Sequence, residues 1–92
     1  MNKSQIADRL AGRMGVSKAA AAGAVDAVLE AIGEALANHE EVRLAGFGTF
    51  ATKHRPARTG RNPQTGEAVS IPASVAPAFR AGKALKDAVN GR

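Results

Sequence analysis

Alanine limits what this chain can fold into. It supplies 21 of the 41 hydrophobic residues, and only three of the other 20 are aromatic, Phe47, Phe50 and Phe79. Alanine forms helices readily but removes little apolar area from water. A chain of 92 residues with so few large apolar side chains has little to set against the entropy lost on ordering. It has no cysteine, hence no disulfide staple and no thiolate metal site. Sharing a core with a second chain is the remaining common remedy. The composition therefore predicts one small domain that assembles rather than a self-sufficient monomer.

No apolar run approaches the roughly 20 residues needed to span a bilayer, so no membrane partner is expected. Met1-Asn2-Lys3-Ser4-Gln5 leads into no apolar signal region, which predicts a cytoplasmic protein. Charge divides the chain more sharply. Residues 1–46 carry five basic and six acidic side chains, residues 47–92 eight and two, within a total of +5. A basic half beside a near-neutral half fits a polyanion-binding surface on an assembly module, with nucleic acid ahead of a membrane surface or simple solvated charge.

Residues 2–14 read as an amphipathic helix capped by Asn2 with Gln5 in capping-box spacing, striped by Ile6, Leu10 and Met14 and ended by Gly15. Ser17 caps a second helix reaching about Asn38, with an apolar face of Val25, Val28, Leu29, Ile32 and Leu36. The small run Ala19 to Ala24 suits either close helix packing or helix propensity alone. After His39 the pattern alternates: Val42 and Leu44 flank Arg43, and Gly46-Phe47-Gly48 turns into a strand over Thr49–Arg55. That turn either drops Phe47 into the core or presents amides to a phosphate.

Thr52 to Gly66 holds Lys53, His54, Arg55, Arg58 and Arg61, no acid, and no apolar side chain beyond Pro56, Ala57 and Pro63. It cannot form a core. Asn62-Pro63-Gln64-Thr65-Gly66 is a turn sequence, and Val69 and Ile71 resume strand alternation beyond it. The spacing predicts a long hairpin whose distal half projects as a basic arm, the competing reading being a solvated loop. Pro56, Pro72 and Pro77 fit an exposed ribbon, which is all edge. Arginine's planar fork suits phosphate and narrow-groove contacts. Residues 82–90 read as a short helix, in which Lys83 and Lys86 serve either as phosphate contacts or as ordinary surface lysines.

Catalysis has little to stand on. His39 and His54 fall in different predicted environments, and His39-Glu40-Glu41 lacks a second cluster to make a metal site. No phosphate-binding loop or dinucleotide fingerprint is present. No enzyme activity, cofactor or metal is expected.

Gly46-Phe47-Gly48-Thr49-Phe50, Arg58-Thr59-Gly60-Arg61-Asn62-Pro63-Gln64-Thr65-Gly66, and Pro77 and Phe79 followed by Gly82-Lys83-Ala84-Leu85-Lys86 resemble the HU family of bacterial histone-like DNA-binding proteins, over essentially the whole chain. The resemblance implies an α+β fold in an intertwined dimer. Residues 1–40 would form a two-helix body, residues 41–81 a three-stranded antiparallel sheet extended into a β-ribbon arm over about 53–74, and residues 82–92 a short C-terminal helix and tail. Phe47, Phe50 and Phe79 would pack in the shared dimer core. Lys53, Arg55, Arg58 and Arg61 would line the DNA, Asn62 and Gln64 would sit near the tip, and Pro63 would wedge between base pairs. Lys3, Lys83, Lys86 and the Gly46, Phe47 and Gly48 backbone would hold flanking phosphates. The implied function is largely sequence-independent binding and bending of double-stranded DNA in the nucleoid, preferring bent, nicked or gapped duplexes. The alternatives are one subunit of an integration-host-factor-type heterodimer formed with a paralogous chain, and RNA as a further polyanion.

Overall fold

The computed structural model describes residues 1–91. Two helices open the chain, α1 (Lys3–Met14) and α2 (Lys18–Ala37). Asn2 Oδ1 accepts from the Gln5 N–H at 2.9 Å and Gln5 Oε1 accepts from the Asn2 N–H at 2.8 Å, completing the predicted capping box. Ser17 Oγ accepts from the Ala20 N–H at 3.1 Å and starts α2. Ala7 and Ala21, one on each helix, are the only buried hydrophobic residues among those described. Two exposed ion pairs join the helices, Lys3–Asp26 at 2.9 Å and Lys18–Asp8 at 2.6 Å; their exposure leaves each a small stabilising effect.

α2 closes through a left-handed residue. The His39 N–H donates to the Leu36 carbonyl at 2.9 Å and the Glu40 N–H to the Ala35 carbonyl at 2.8 Å, with His39 at φ 59° in the place glycine usually takes. The strands follow as β1 (Val42–Leu44), β2 (Gly48–Arg55), β3 (Arg58–Arg61), β4 (Ala68–Ile71) and β5 (Ser74–Ala81), and α3 (Lys83–Val89) ends the described chain. β1, β2 and β5 form one antiparallel sheet in that order; β3 and β4 form a separate two-stranded ribbon.

The sheet and the ribbon are one hairpin, interrupted. Its ladder runs from Gly48↔Ala81 to Arg55↔Ser74, lapses, and resumes at Arg58↔Ile71. Pro56 and Ala57 stand in the gap opposite Pro72 and Ala73, equal in number, so the pairing resumes without a slip. Neither proline can donate a ladder hydrogen bond.

Register sorts the sheet into two faces, because cross-strand partners share a side. Val42, Phe50 and Phe79 form one row, and Leu44, Gly48 and Ala81 another, on the apolar face. The Phe50 and Phe79 rings lie 4.7 Å apart and those of Phe47 and Phe79 5.5 Å. Gly48 is buried beneath this cluster, where an added Cβ would come within 2.5 Å of Phe79 Cζ and 2.6 Å of the Arg80 carbonyl oxygen.

A single chain leaves these surfaces uncovered. Phe47 is 46 % exposed, Phe79 42 % and Leu29 52 %. The accessible surface is 7238 Å², against about 5,000 Å² for a compact monomer of this mass. The radius of gyration is 18.9 Å, against roughly 12 Å for a compact chain of this length. The projecting ribbon lengthens the molecule, and both it and the open apolar face add to the accessible surface.

Gly48→Ala is expected to destabilise the fold by about 1–3 kcal/mol, the usual range for an overpacked site, read as a lowered thermal midpoint. An unchanged midpoint would show that Phe79 moves aside freely.

Candidate nucleic-acid interface

The other face of the sheet is cationic. Thr49, Ala51, Lys53 and Arg55 alternate along β2 with the apolar set, and their partners on β5 are Arg80, Ala78, Ala76 and Ser74. Arg43 on β1 also pairs with Thr49. Arg43, Thr49 and Arg80 thus make one row across three strands, on the side that carries Lys53 and Arg55. Between these cations lie only small side chains, leaving a shallow basic floor open to a broad polyanion. The sequence pattern points to Lys53 and Arg55 but does not place Arg43 and Arg80; cross-strand register places them, and it requires knowing which residues pair.

Beyond the proline gap, the ribbon distributes its cations differently. Arg58 shares a side with Gly60, Val69 and Ile71, whereas Arg61 lies opposite with Thr59, Ser70 and Ala68. The two arginines therefore lie on opposite faces of the ribbon. They arm both faces of a strip only two strands wide, which suits insertion into a groove with phosphates on either side.

Asn62 organises the tip. Its N–H donates to the Glu67 carbonyl at 2.8 Å, its carbonyl accepts from the Gly66 N–H at 2.7 Å, and its Oδ1 accepts from the Gln64 N–H at 2.9 Å. An Arg61 guanidinium nitrogen donates to the Gly66 carbonyl at 3.2 Å. Asn62 is thus a structural member of the turn as well as a tip residue. These bonds hold Pro63 and Gln64 exposed at the end of the ribbon.

The remaining expected contacts sit in other settings. Gly46, at φ 79°, forms the turn between β1 and β2. The Phe47 N–H donates to the Leu44 carbonyl at 3.0 Å, and the Phe47 carbonyl accepts from the Gly82 N–H at 2.7 Å. The Phe47 amide is therefore engaged inside the turn and does not point outward to a phosphate. Lys3 pairs with Asp26, whose hydrogen bond and negative charge raise the lysine pKa above its ordinary value. Lys83 pairs with Asp87 at 2.8 Å, one turn along α3. That carboxylate supplies the negative partner a cation needs in the first turn of a helix. Lys86 lies exposed on the same helix.

His39 and His54 are not in different environments: their rings approach to 5.5 Å, edge-on at 88°. The register places His54 on the apolar side of β2, opposite Val75, where it meets the closing residue of α2. No group of three or more metal-ligating side chains occurs among the described residues.

The family model for bacterial DNA-binding proteins matches residues 1–90. The chain belongs to the HU family. It is 58 % identical over 90 residues to the DNA-binding protein HU-beta of Escherichia coli, covering 98 % of this chain and all of that one. It is 51 % identical over 92 residues, the full length of both, to the SPbeta prophage-derived DNA-binding protein HU 2 of Bacillus subtilis. Its structure is similar to that of Anabaena HU solved in a cocrystal with DNA, with a TM-score of 0.91, 42 % identity and complete coverage of both chains. The α+β fold with a β-arm is that of the family, whose members are architectural DNA-binding proteins and not enzymes.

Arg80→Gln is expected to weaken binding to an arbitrary duplex several-fold. It should also lower the slope of log affinity against log salt by about 0.9 for each phosphate the protein ceases to neutralise. Fluorescence anisotropy over a potassium chloride series checks this, and an unchanged slope would remove Arg80 from the interface.

Proposed function

We propose that the chain works as a homodimer that clamps and bends double-stranded DNA with little regard to sequence, compacting or stabilising nucleoid DNA in the cytoplasm. The observation carrying this reading is the register-built basic floor, Arg43, Lys53, Arg55 and Arg80, continued by a ribbon with arginines on both faces and a proline at its exposed tip. In this reading the floor takes phosphates while Arg58, Arg61, Asn62 and Gln64 enter the minor groove. Lys3, Lys83 and Lys86 engage flanking phosphates, Lys3 and Lys83 by exchanging a carboxylate partner for one. Gly46, Phe47 and Gly48 lie at the edge of the floor as a turn close to the backbone of the duplex.

Pro63 acts as the wedge. Minor-groove architectural proteins, HU among them, partly unstack a base step at a cost of a few kcal/mol and recover it by wrapping more DNA. A nick or gap removes part of that cost in advance. Phosphate contacts carry no base information, and minor-groove edges distinguish mainly A·T from G·C, so selectivity is weak. The division of labour follows the chain: a helical body over residues 1–40, the sheet and arm over 41–81, and a terminal helix from 82.

The second chain covers what one chain leaves open. Phe47, Phe50 and Phe79 on the sheet, and the groove of about 540 Å³ lined by Ile6, Leu10, Met14, Val25, Val28 and Leu29, are the surfaces it would share. This is where the alanine-rich composition finds the remainder of its core.

On a nicked and an intact duplex of the same arbitrary sequence, the nicked form should bind at least several-fold tighter, with both affinities falling steeply as salt rises. Pro63→Ala should shrink that preference and reduce bending read by end-to-end energy transfer. Equal affinity for the two duplexes would leave a phosphate binder without a wedge, and equal competition by double-stranded RNA would remove the specificity for DNA.

The purified 9.4 kDa chain should sediment at twice its mass, with a thermal midpoint that rises with protein concentration. A folded monomer at micromolar concentration would overturn the shared core, and folding only beside a paralogous chain would establish an obligate heterodimer.

A further inference from the structure

We propose that His39 and His54 form a two-imidazole site for a borderline divalent metal ion, joining the end of α2 to the root of the arm. The two rings come from segments fifteen positions apart and meet with centroids 5.5 Å apart. Two imidazoles that ligate one zinc ion at about 2.0–2.1 Å in tetrahedral geometry have ring centres roughly 5 Å apart. The spacing of the backbones therefore already suits a shared ion. The terminal torsion of histidine is broad, and both side chains belong to exposed residues, so the edge-on rings can turn a nitrogen each towards a common point.

Two further observations single out this pair. His39 is the only non-glycine residue at positive φ among those described. A side chain held there has a backbone cost that glycine would avoid, and its ring is what it contributes in return. Both histidines are exposed, so solvent water has access to complete the coordination sphere of an ion held between them.

The ligand chemistry fixes the class of ion. An all-imidazole set favours zinc, copper or nickel over magnesium or calcium, which take oxygen ligands. Among the described residues no third histidine or carboxylate joins the pair, and Glu41 is engaged with Arg43 at 3.2 Å. The site is therefore open and exchangeable, unlike a closed structural centre. Lys53, Arg55 and Arg58 nearby add positive charge, which weakens cation binding and makes it tighter as salt screens them. Bound metal would tether strand β2 at residue 54 to the helical body, just before the proline gap.

Zinc titrated into the full chain without DNA should bind at one ion per chain and shift the imidazole nitrogen resonances of both histidines together. It should raise the thermal midpoint relative to chelator, with magnesium doing neither. His39→Gly is the decisive variant, because glycine suits the left-handed position and the metal-free protein should be as stable as the parent or more so. In that variant, and in His54→Gln, zinc affinity should fall at least tenfold and the thermal shift should vanish. Undiminished zinc binding in either variant would overturn the proposal. So would independent movement of the two histidines' resonances, or a stoichiometry of one ion per two chains.

Discussion

The antiparallel register between β2 and β5 is the constraint on which the rest depends. Side chains alternate along a strand and cross-strand partners share a face, so fixing Phe50 opposite Phe79 also fixes Thr49 opposite Arg80 and places Lys53 and Arg55 beside them. One set of hydrogen bonds thereby builds an aromatic face and a cationic face back to back. A slip of one residue would put arginines against the aromatic cluster and phenylalanines towards the polyanion. The close fit of Gly48 beneath Phe79 opposes such a slip, since any other residue in that place would collide with the ring. Recognition and assembly in this chain are two readings of a single pairing.

The helices were the most legible part of the sequence. Asn2 with Gln5, and Ser17, act through bonds spanning three residues, so their consequences are written locally. The turn at Asn62–Gly66 and the short final helix were legible for the same reason. The basic arm was legible too, from the cations between Thr52 and Gly66 and the turn sequence they lead into, and the resemblance to the HU family added the aromatic cluster and the expected contacts. What neither source showed were the consequences of pairing between distant residues. Arg43 and Arg80 join the basic floor, Arg58 and Arg61 separate to opposite sides, and His54 meets His39, all through contacts between strands or between a strand and a helix corner.

The same distinction explains the lysines. Lys3 and Lys83 are both paired, with Asp26 on the neighbouring helix and with Asp87 one turn along the same helix. A pair at i and i+4 such as Lys83–Asp87 is visible in principle; one between helices is not. Both are exposed and weak, so a phosphate can replace the carboxylate with little loss. Charge is therefore masked at Lys3 and Lys83 on the body, whereas among the described residues Arg58 and Arg61 on the ribbon meet no carboxylate.

The lapse in the ladder at Pro56 and Pro72 bears on how such a protein can change over generations. With no ladder pairing carried across it, the outer ribbon lies beyond the helix and aromatic packing of the body, so opening the ribbon is expected to cost less free energy than opening the body. Substitutions beyond the prolines are then nearly invisible to folding while remaining fully visible to the ligand. Natural chains sit only slightly above the stability they need, and most new mutations draw that margin down. A recognition element outside the cooperative core is exempt from that pressure, so its charges, length and tip can drift and be tested against new nucleic-acid shapes while the body stays intact.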